Sequence, residues 1–373
     1  MRSDAVLITG ATGFVGMELL ARYLERSERP LVALVRADSD AGAGERVDGV
    51  LANLFGARAA QYAGRVEAVA AELTAPRLGL SRARCEQLAR RVGTIVHSAA
   101  SVSFTLPLAQ AREINVEGTR RMLDFAELAA EHGGLDRYGH ISTAYVAGTH
   151  AGRFGEGDLD LGQGFHNTYE RSKLEAEQLV HARTAIPSTI MRPSIVVGDC
   201  HSGWTYAFNV LYWPLRAFAR GLFTTVPGVS SAPVDVVSID YVADAVYELC
   251  SREECVPGET FNLTAGANAS TIGEIANAAS LYFKRPLPAV LSPAEVAARS
   301  ADGSSDSVLD GSRAYFPYFS IGAVFDDTRA RAALLPAGIS VTPLREYLER
   351  LLDFATRSRW GKLPIARVEA LGA

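Results

Sequence analysis

Lysine is nearly absent: Lys173, Lys284 and Lys362 stand against 34 arginines. A lysine placed inside a motif therefore carries unusual weight. Cysteine is also sparse. Cys85, Cys200, Cys250 and Cys255 are scattered, with no CxxC pair and no paired His–Cys spacing. That pattern gives no disulfide framework and no metal site, and it fits a reducing compartment. Long apolar runs are missing too. No uncharged stretch reaches the ~18–20 residues of a membrane span, and the nearest, Trp204 to Phe223, is broken by Pro214, Arg216 and Arg220. Positive charge is not in excess: the formal net charge is −5, which argues against nucleic-acid binding. Met1-Arg2-Ser3-Asp4 runs into an apolar strand without a charged leader, an h-region or a cleavage site. The expected location is cytoplasmic.

What is present reads as a globular α/β chain. Its 373 residues are 48% hydrophobic and 21% charged, a length that suggests two domains. Short apolar runs at Ala5–Thr9, Leu31–Val35, Val66–Ala70, Thr94–His97, Tyr138–Ser142 and Ser188–Arg192 alternate with amphipathic stretches at Val15–Glu25, Cys85–Arg91, Gln110–Glu131 and Tyr169–Arg183. Near-continuous apolar strands separated by helices predict a doubly wound parallel sheet of the Rossmann type, covered on both faces. After Gly198 the sequence turns aromatic and irregular, returns to a strand at Val234–Val237 and a helix from Asp240 to Cys250, and ends in a mixed region containing the Ser/Asp/Gly-rich segment 300–313. The expected division is a nucleotide-binding domain over 1–198 and 234–263, with a smaller, irregular substrate lobe over 199–233 and 264–373.

Two motifs carry chemistry. Gly10-Ala11-Thr12-Gly13-Phe14-Val15-Gly16 follows the first strand and opens a helix. Glycines at that turn let the backbone approach a pyrophosphate, which then lies on free N–H groups at the positive helix end. The second strand ends at Val35, so Arg36 takes the position that reads the adenosine ribose. An acid there selects NAD, whereas an arginine accommodates the 2′-phosphate of NADP. Arg46 is a second candidate phosphate partner, weighed against a solvent-facing helix charge, and Asp38 and Asp40 read as loop charges.

The second motif is Tyr169-Glu170-Arg171-Ser172-Lys173, which sets a phenol and an ammonium at i and i+4 on one helix face. A neighbouring cation lowers the phenol pKa and makes tyrosine a useful proton shuttle. With so few lysines, the chance expectation for this spacing is about 0.1 in the whole chain. Ser142, at the end of the preceding strand, can donate to a substrate oxyanion.

Together, the glycine motif, the strand-end serine, and a Tyr-x-x-x-Lys that starts 27 residues after it resemble the extended short-chain dehydrogenase/reductases. So do His97-Ser98-Ala99-Ala100, Ile114-Asn115-Val116-Glu117-Gly118-Thr119 and Arg192-Pro193-Ser194-Ile195-Val196. Within that superfamily, Leu34-Val35-Arg36-Ala37, Leu78-Gly79-Leu80-Ser81, Ser142-Thr143-Ala144-Tyr145-Val146 and the run from Val234 to Val242 are similar to the fatty acyl-CoA reductases and thioester reductase domains. The resemblance implies NADPH as cofactor, with Glu72 and Leu73 on the adenine side, and Ser98, Ala99, Ala100, Pro193, Ser194 and Ile195 along the dinucleotide. It implies that Ser142 and Tyr169 hold the oxyanion, that Tyr169 gives the proton, that Lys173 lowers the tyrosine pKa and holds the ribose, and that Asn115 positions a water or main-chain group supporting the lysine.

The implied substrate is an acyl thioester, reduced to an aldehyde and by a second cycle to an alcohol, or a free aldehyde. No phosphopantetheine carrier segment is recognisable in the chain, so the thioester would arrive on coenzyme A or on a separate acyl carrier protein. A sugar-nucleotide or sterol-type dehydrogenase or epimerase, and a non-catalytic NADP-binding regulator, are the competing readings. The aromatic segment 204–223 reads either as a packed helix of the second lobe or as an acyl channel or peripheral membrane contact. Asp326-Asp327-Thr328 reads as an N-cap for a helix at Arg329–Leu335.

Overall fold

Short apolar runs form the strands because most of them are covered on both faces. The computed structural model describes residues 4–222, 224–292, 295, 318 and 322–372. In chain order, the main elements of the larger unit are β1 (Ala5–Thr9), α1 (Phe14–Arg26), β2 (Leu31–Val35), α2 (Asp40–Phe55), β3 (Val66–Ala70), α3 (Arg82–Ala89), β4 (Val92–His97), α4 (Gly118–His132), β5 (Arg137–Ile141), α5 (Thr168–Ala182), β6 (Ser188–Pro193), α6 (Ile239–Ser251) and β7 (Glu259–Leu263). The seven strands are all parallel, in the order β7-β6-β5-β4-β1-β2-β3. The chain runs outward from β1 to β3 and then returns to place β4 on the other side of β1. That reversal is the topological switch point, where ligands of such sheets bind.

One apolar core packs α1, α2 and α6 on one face of the sheet, and a second packs α3 and α4 on the other. β1, β2, β4, β5 and β6 are buried along their whole length, as two-sided coverage requires. The six strand expectations of the first 198 residues hold to within two residues, whereas the expected strand Val234–Val237 is split into Pro233–Val234 and Val236–Ser238, which pair outside the main sheet. Neither α2 nor β7 is among the expected elements.

A third core belongs to the second lobe, where Tyr212, Phe218, Tyr318, Tyr347 and Leu351 meet. The division between the two units is less clean than the expected boundaries. Trp204, Ala330, Leu334 and Ala370 join the core around β1 and β2, so residues from 199–233 and 264–373 also close the larger unit. The Ser/Asp/Gly-rich segment 300–313 lies outside the described residues.

Helix Thr328–Leu334 begins where expected, but Asp327 makes no side-chain capping bond. Asp326 accepts the Thr328 N–H at 3.3 Å, and Glu156 extends the cap, accepting the N–H groups of Arg329 at 2.6 Å and Ala330 at 2.8 Å. A carboxylate suits that end because the first N–H groups of a helix are unpaired and carry partial positive charge.

Candidate active site

The glycine loop lies at the switch point and is shaped by close backbone approach. Gly10 has φ +71°, and a Cβ there would come within 2.9 Å of the Ala99 nitrogen. A Cβ on Gly16 would fall 2.0 Å from the Gly10 carbonyl oxygen. Only glycine fits either position. The Gly13 N–H donates to the Gly10 carbonyl at 2.8 Å, and Gly13 caps α1. Thr12, Phe14 and Val15 line the loop and first turn, half-buried. On the facing strand, the N–H groups of Ser98 and Ala99 both donate to Thr9 Oγ1, at 3.2 and 3.1 Å. This folds Ser98-Ala99-Ala100 over the loop. The cradle fits a dinucleotide: tight glycine turns, free N–H groups at a helix start, and small side chains opposite.

Two arginines meet at the outer end of the cradle. Arg36 follows β2 and is exposed. Arg46, one and a half turns into α2, donates to the Arg36 carbonyl and to Thr12 Oγ1, the latter at 3.2 Å. Arg46 is thus folded back onto the glycine loop. Glu72 lies within the field of Arg36, and its carboxyl is held below the usual range, first by the Thr74 N–H and then by the Thr74 hydroxyl, with Arg36 adding to the effect. Leu73 packs against Gly118 at the start of α4. Asp40 is occupied elsewhere, accepting the Ala70 N–H at 2.8 Å.

The catalytic end is built from α5 and the end of β5. Tyr169, Lys173 and Glu177 lie four residues apart on one stripe of α5. Three consecutive residues of the β5 end receive them. Lys173 Nζ donates to the Ile141 carbonyl at 2.7 Å, Ser142 Oγ donates to Glu177 at 2.5 Å, and the Thr143 hydroxyl, which accepts the Tyr145 N–H at 3.3 Å, lies beside the Tyr169 phenol. The strand-end serine is therefore turned into the interior, and the threonine after it stands beside the tyrosine.

Burial pushes the Tyr169 phenol up to about 12, and the Thr143 hydrogen bond offsets this only in part. The Lys173 ammonium is anchored on the Ile141 carbonyl. Burial brings Lys173 down to about 8, with Glu177 acting in the opposite direction. The phenol therefore carries its proton at neutral pH, as a proton donor must. Phe104 covers Tyr169 with ring centroids 5.8 Å apart and stacks on Tyr318 at 5.0 Å.

Asn115 is buried in a π-helical turn, Glu113–Glu117, a distortion frequent at functional sites. Its amide donates to the Ser101 carbonyl at 3.0 Å and to Ser172 Oγ at 2.9 Å, and its oxygen accepts the Ser101 N–H at 2.8 Å. Both amide hydrogens are thus taken. The side chain ties the loop after β4 to α5. Ser172 in turn donates to the Tyr169 carbonyl at 2.9 Å.

Pro193, Ser194 and Ile195 follow β6 beside this site; the Pro193 carbonyl accepts the Thr143 hydroxyl at 3.4 Å. The aromatic segment 204–223 is split: Trp204, Tyr212 and Phe218 are buried, while Tyr206 is exposed. Cys200, His201 and Asp240 converge away from this centre. The Asp240 carboxylate accepts the Cys200 N–H at 2.8 Å and its thiol at 3.1 Å, and burial pushes that thiol up to about 12. This is a hydrogen-bonded closure of the α6 start. Among the described residues no helix is long and apolar enough to cross a membrane.

Sheet order, glycine cradle and the Tyr169–Lys173 helix together define an NAD(P)-dependent oxidoreductase of the extended short-chain reductase class. The chain belongs to the family described as male sterility protein, which matches residues 8–246. It is 36% identical over 217 residues to the isonitrile lipopeptide synthase of Streptomyces coeruleorubidus, covering 57% of this chain and 14% of that protein. It is 33% identical over 275 residues to a non-canonical nonribosomal peptide synthetase of Aspergillus campestris, covering 69% of this chain and 25% of the relative. The chain thus spans only a small part of these relatives. Among solved structures, it superposes on the terminal R domain from the myxalamid PKS-NRPS biosynthetic pathway with a TM-score of 0.81 at 25% identity, over 98% of this chain and 93% of that one. These likenesses place it in the thioester reductase group.

Proposed function

We propose that the chain reduces an acyl thioester to an aldehyde with NADPH, and that the thioester is presented on a carrier protein. The observation that carries the reading is the meeting of the Thr143 and Tyr169 hydroxyls beside Lys173, at the end of a dinucleotide cradle. Gly10–Gly16 and Ser98–Ala100 would hold NADPH, with Arg36 and Arg46 toward its 2′-phosphate, and the bound cofactor would supply hydride.

The chain's own residues handle the oxygen and the proton. Thr143 and Tyr169 donate to the carbonyl oxygen as it gains negative charge, a contribution that is largest when donors are already in place and water is excluded. The protonated phenol gives its hydrogen to that oxygen, which leaves a hemithioacetal. The carbon–sulfur bond then breaks, the hydroxyl proton passes to the departing sulfur, and aldehyde and thiol are released. Lys173, fixed on Ile141, faces the forming phenolate with positive charge. The similarity to parts of peptide-assembling proteins favours a carrier-bound thioester over a free acyl-CoA.

The test is to follow nicotinamide absorbance with NADPH or NADH against acyl-CoAs, acyl-pantetheine thioesters, carrier-loaded acyl groups, aldehydes and sugar nucleotides. Oxidation of NADPH with thioesters, carrier-loaded ones fastest, is the expected result. Turnover confined to sugar nucleotides would replace this reading with the dehydrogenase or epimerase one.

A further inference from the structure

Phe14 and Glu18 stand four residues apart on one face of α1, in the turns that follow the glycine loop. Both are held by the same distant stretch of chain. The Phe14 ring packs on Trp204, with ring centroids 5.8 Å apart. Trp204 is fully buried and donates its Nε1–H to the Ile365 carbonyl at 3.1 Å. Glu18, also buried, forms an ion pair with Arg367 Nε at 2.5 Å. Its other oxygen accepts from Arg22 Nη1 at 2.8 Å, and Arg22 Nε donates to Asp244 of α6 at 2.5 Å. The Arg367 N–H donates to the Asn53 side chain of α2 at 3.3 Å. Residues 365–367 thus bridge α1 and α2 and hold Trp204 in place.

Trp204 reaches α1 from the second lobe. Cys200, Leu211 and Tyr212 lie in that lobe's core, whereas Trp204 lies in the core around β1 and β2. A tight loop delivers it: the Trp204 carbonyl accepts the Asp199 N–H at 2.9 Å, and the Asp199 carboxylate accepts the Ser202 N–H at 2.7 Å. For packing alone, a buried tryptophan needs an apolar surround and a partner for its N–H. What distinguishes this one is where it presses. Phe14 is the first residue of α1, and the N–H groups of a first helical turn have no partner within the helix. Those are the groups on which a pyrophosphate would lie. The turn has no slack, since a Cβ on Gly16 would fall 2.0 Å from the Gly10 carbonyl oxygen. A small tilt of α1 therefore changes the cradle directly.

We propose that Trp204 and Arg367 are positioning residues for the dinucleotide: a clamp on one face of α1 that sets cofactor affinity from outside the cradle. It acts on the turn that faces the pyrophosphate, a group that NADPH and NADH share. The clamp therefore supports both cofactors alike, unlike Arg36 and Arg46, which are directed at the 2′-phosphate.

Fluorescence titration of the full chain with NADPH and with NADH tests this without any substrate. Arg367→Met keeps the aliphatic stem and leaves Glu18 paired with Arg22. Trp204→Leu removes the ring and its hydrogen bond but keeps the site apolar. A turn that is in place only about a tenth of the time binds about tenfold more weakly. Each variant should raise both dissociation constants by about that factor, NADPH and NADH equally. Arg367→Lys keeps a charge for Glu18 and Trp204→Phe keeps a ring for Phe14, and each should recover most of the affinity. Hydrogen exchange in the ligand-free chain gives the second readout. Amides of residues 10–20 should exchange faster in Arg367→Met, while those of residues 137–145 stay as in the wild type. Dissociation constants within about twofold of the wild type in a folded Arg367→Met chain would overturn the proposal. So would exchange that quickens equally in both segments, which marks general loosening, or a loss confined to NADPH, which places the effect at the 2′-phosphate.

Discussion

Ser142 gives its hydroxyl to Glu177 at 2.5 Å, inside the molecule, while the next residue, Thr143, meets the Tyr169 phenol. Two adjacent hydroxyls thus face different partners. Both residues are almost fully buried.

Substitution distinguishes the two hydroxyls. Thr143→Val should lower kcat by about 10²–10³-fold with little change in NADPH affinity, the size expected for losing one oxyanion donor. Ser142→Ala removes one hydrogen bond to a carboxylate that keeps its arginine, so its effect on kcat should stay within about tenfold. The opposite ranking in steady-state kinetics would return the role to Ser142.

Tyr169→Phe removes the proton donor and keeps the ring under Phe104. Turnover should fall by about 10²–10⁴-fold, with NADPH binding by fluorescence titration preserved. Near-full activity in the phenylalanine variant would take Tyr169 out of the mechanism.

The arginine pair predicts cofactor choice. A charge-assisted hydrogen bond contributes about 1.5–3 kcal/mol, one to two orders of magnitude in affinity. Arg46→Ala or Arg36→Ala should weaken NADPH by up to that factor and leave NADH nearly untouched, and the double change should weaken it further. The loss should shrink as salt rises, because Arg36 is exposed. Equal weakening of both cofactors would mean that the arginines support the loop rather than read the phosphate.

Acid stability follows from Glu177. Its folded carboxyl lies at about 2, below the usual 4.5, because the cost of burial is outweighed by Arg192 and by hydrogen bonds from His181, Arg192 and Ser142. A depressed folded value means stability that is present above pH 4.5 and is lost as pH falls toward 2, worth roughly 3 kcal/mol for this group. Urea melts at about pH 6 and about pH 3 should show roughly 2 kcal/mol of that loss in the wild type, the rest following below pH 3. In the Glu177→Gln/Arg192→Met chain the difference between the two pH values should be smaller by about the same amount.

The sequence by itself determined the elements whose meaning is local. Gly10, Gly13 and Gly16 announce a cradle because their spacing and backbone freedom act within seven residues, and Tyr169 and Lys173 share a helix face because four residues make about one turn. Continuous apolar strands likewise require a sheet covered on both faces. What only the tertiary structure decided depends on how distant elements dock. Whether Ser142 or Thr143 faces Tyr169 is set by where the chain leaves β5 beside α5, and adjacent side chains there point opposite ways. The docking of α2 against β2 brings Arg46 back to Thr12. Glu156 caps a helix that begins at Thr328. Glu177 acquires Arg192 only because β6 lies beside β5. A buried carboxylate is stable only where its partners converge, and in this chain they come from three separate elements.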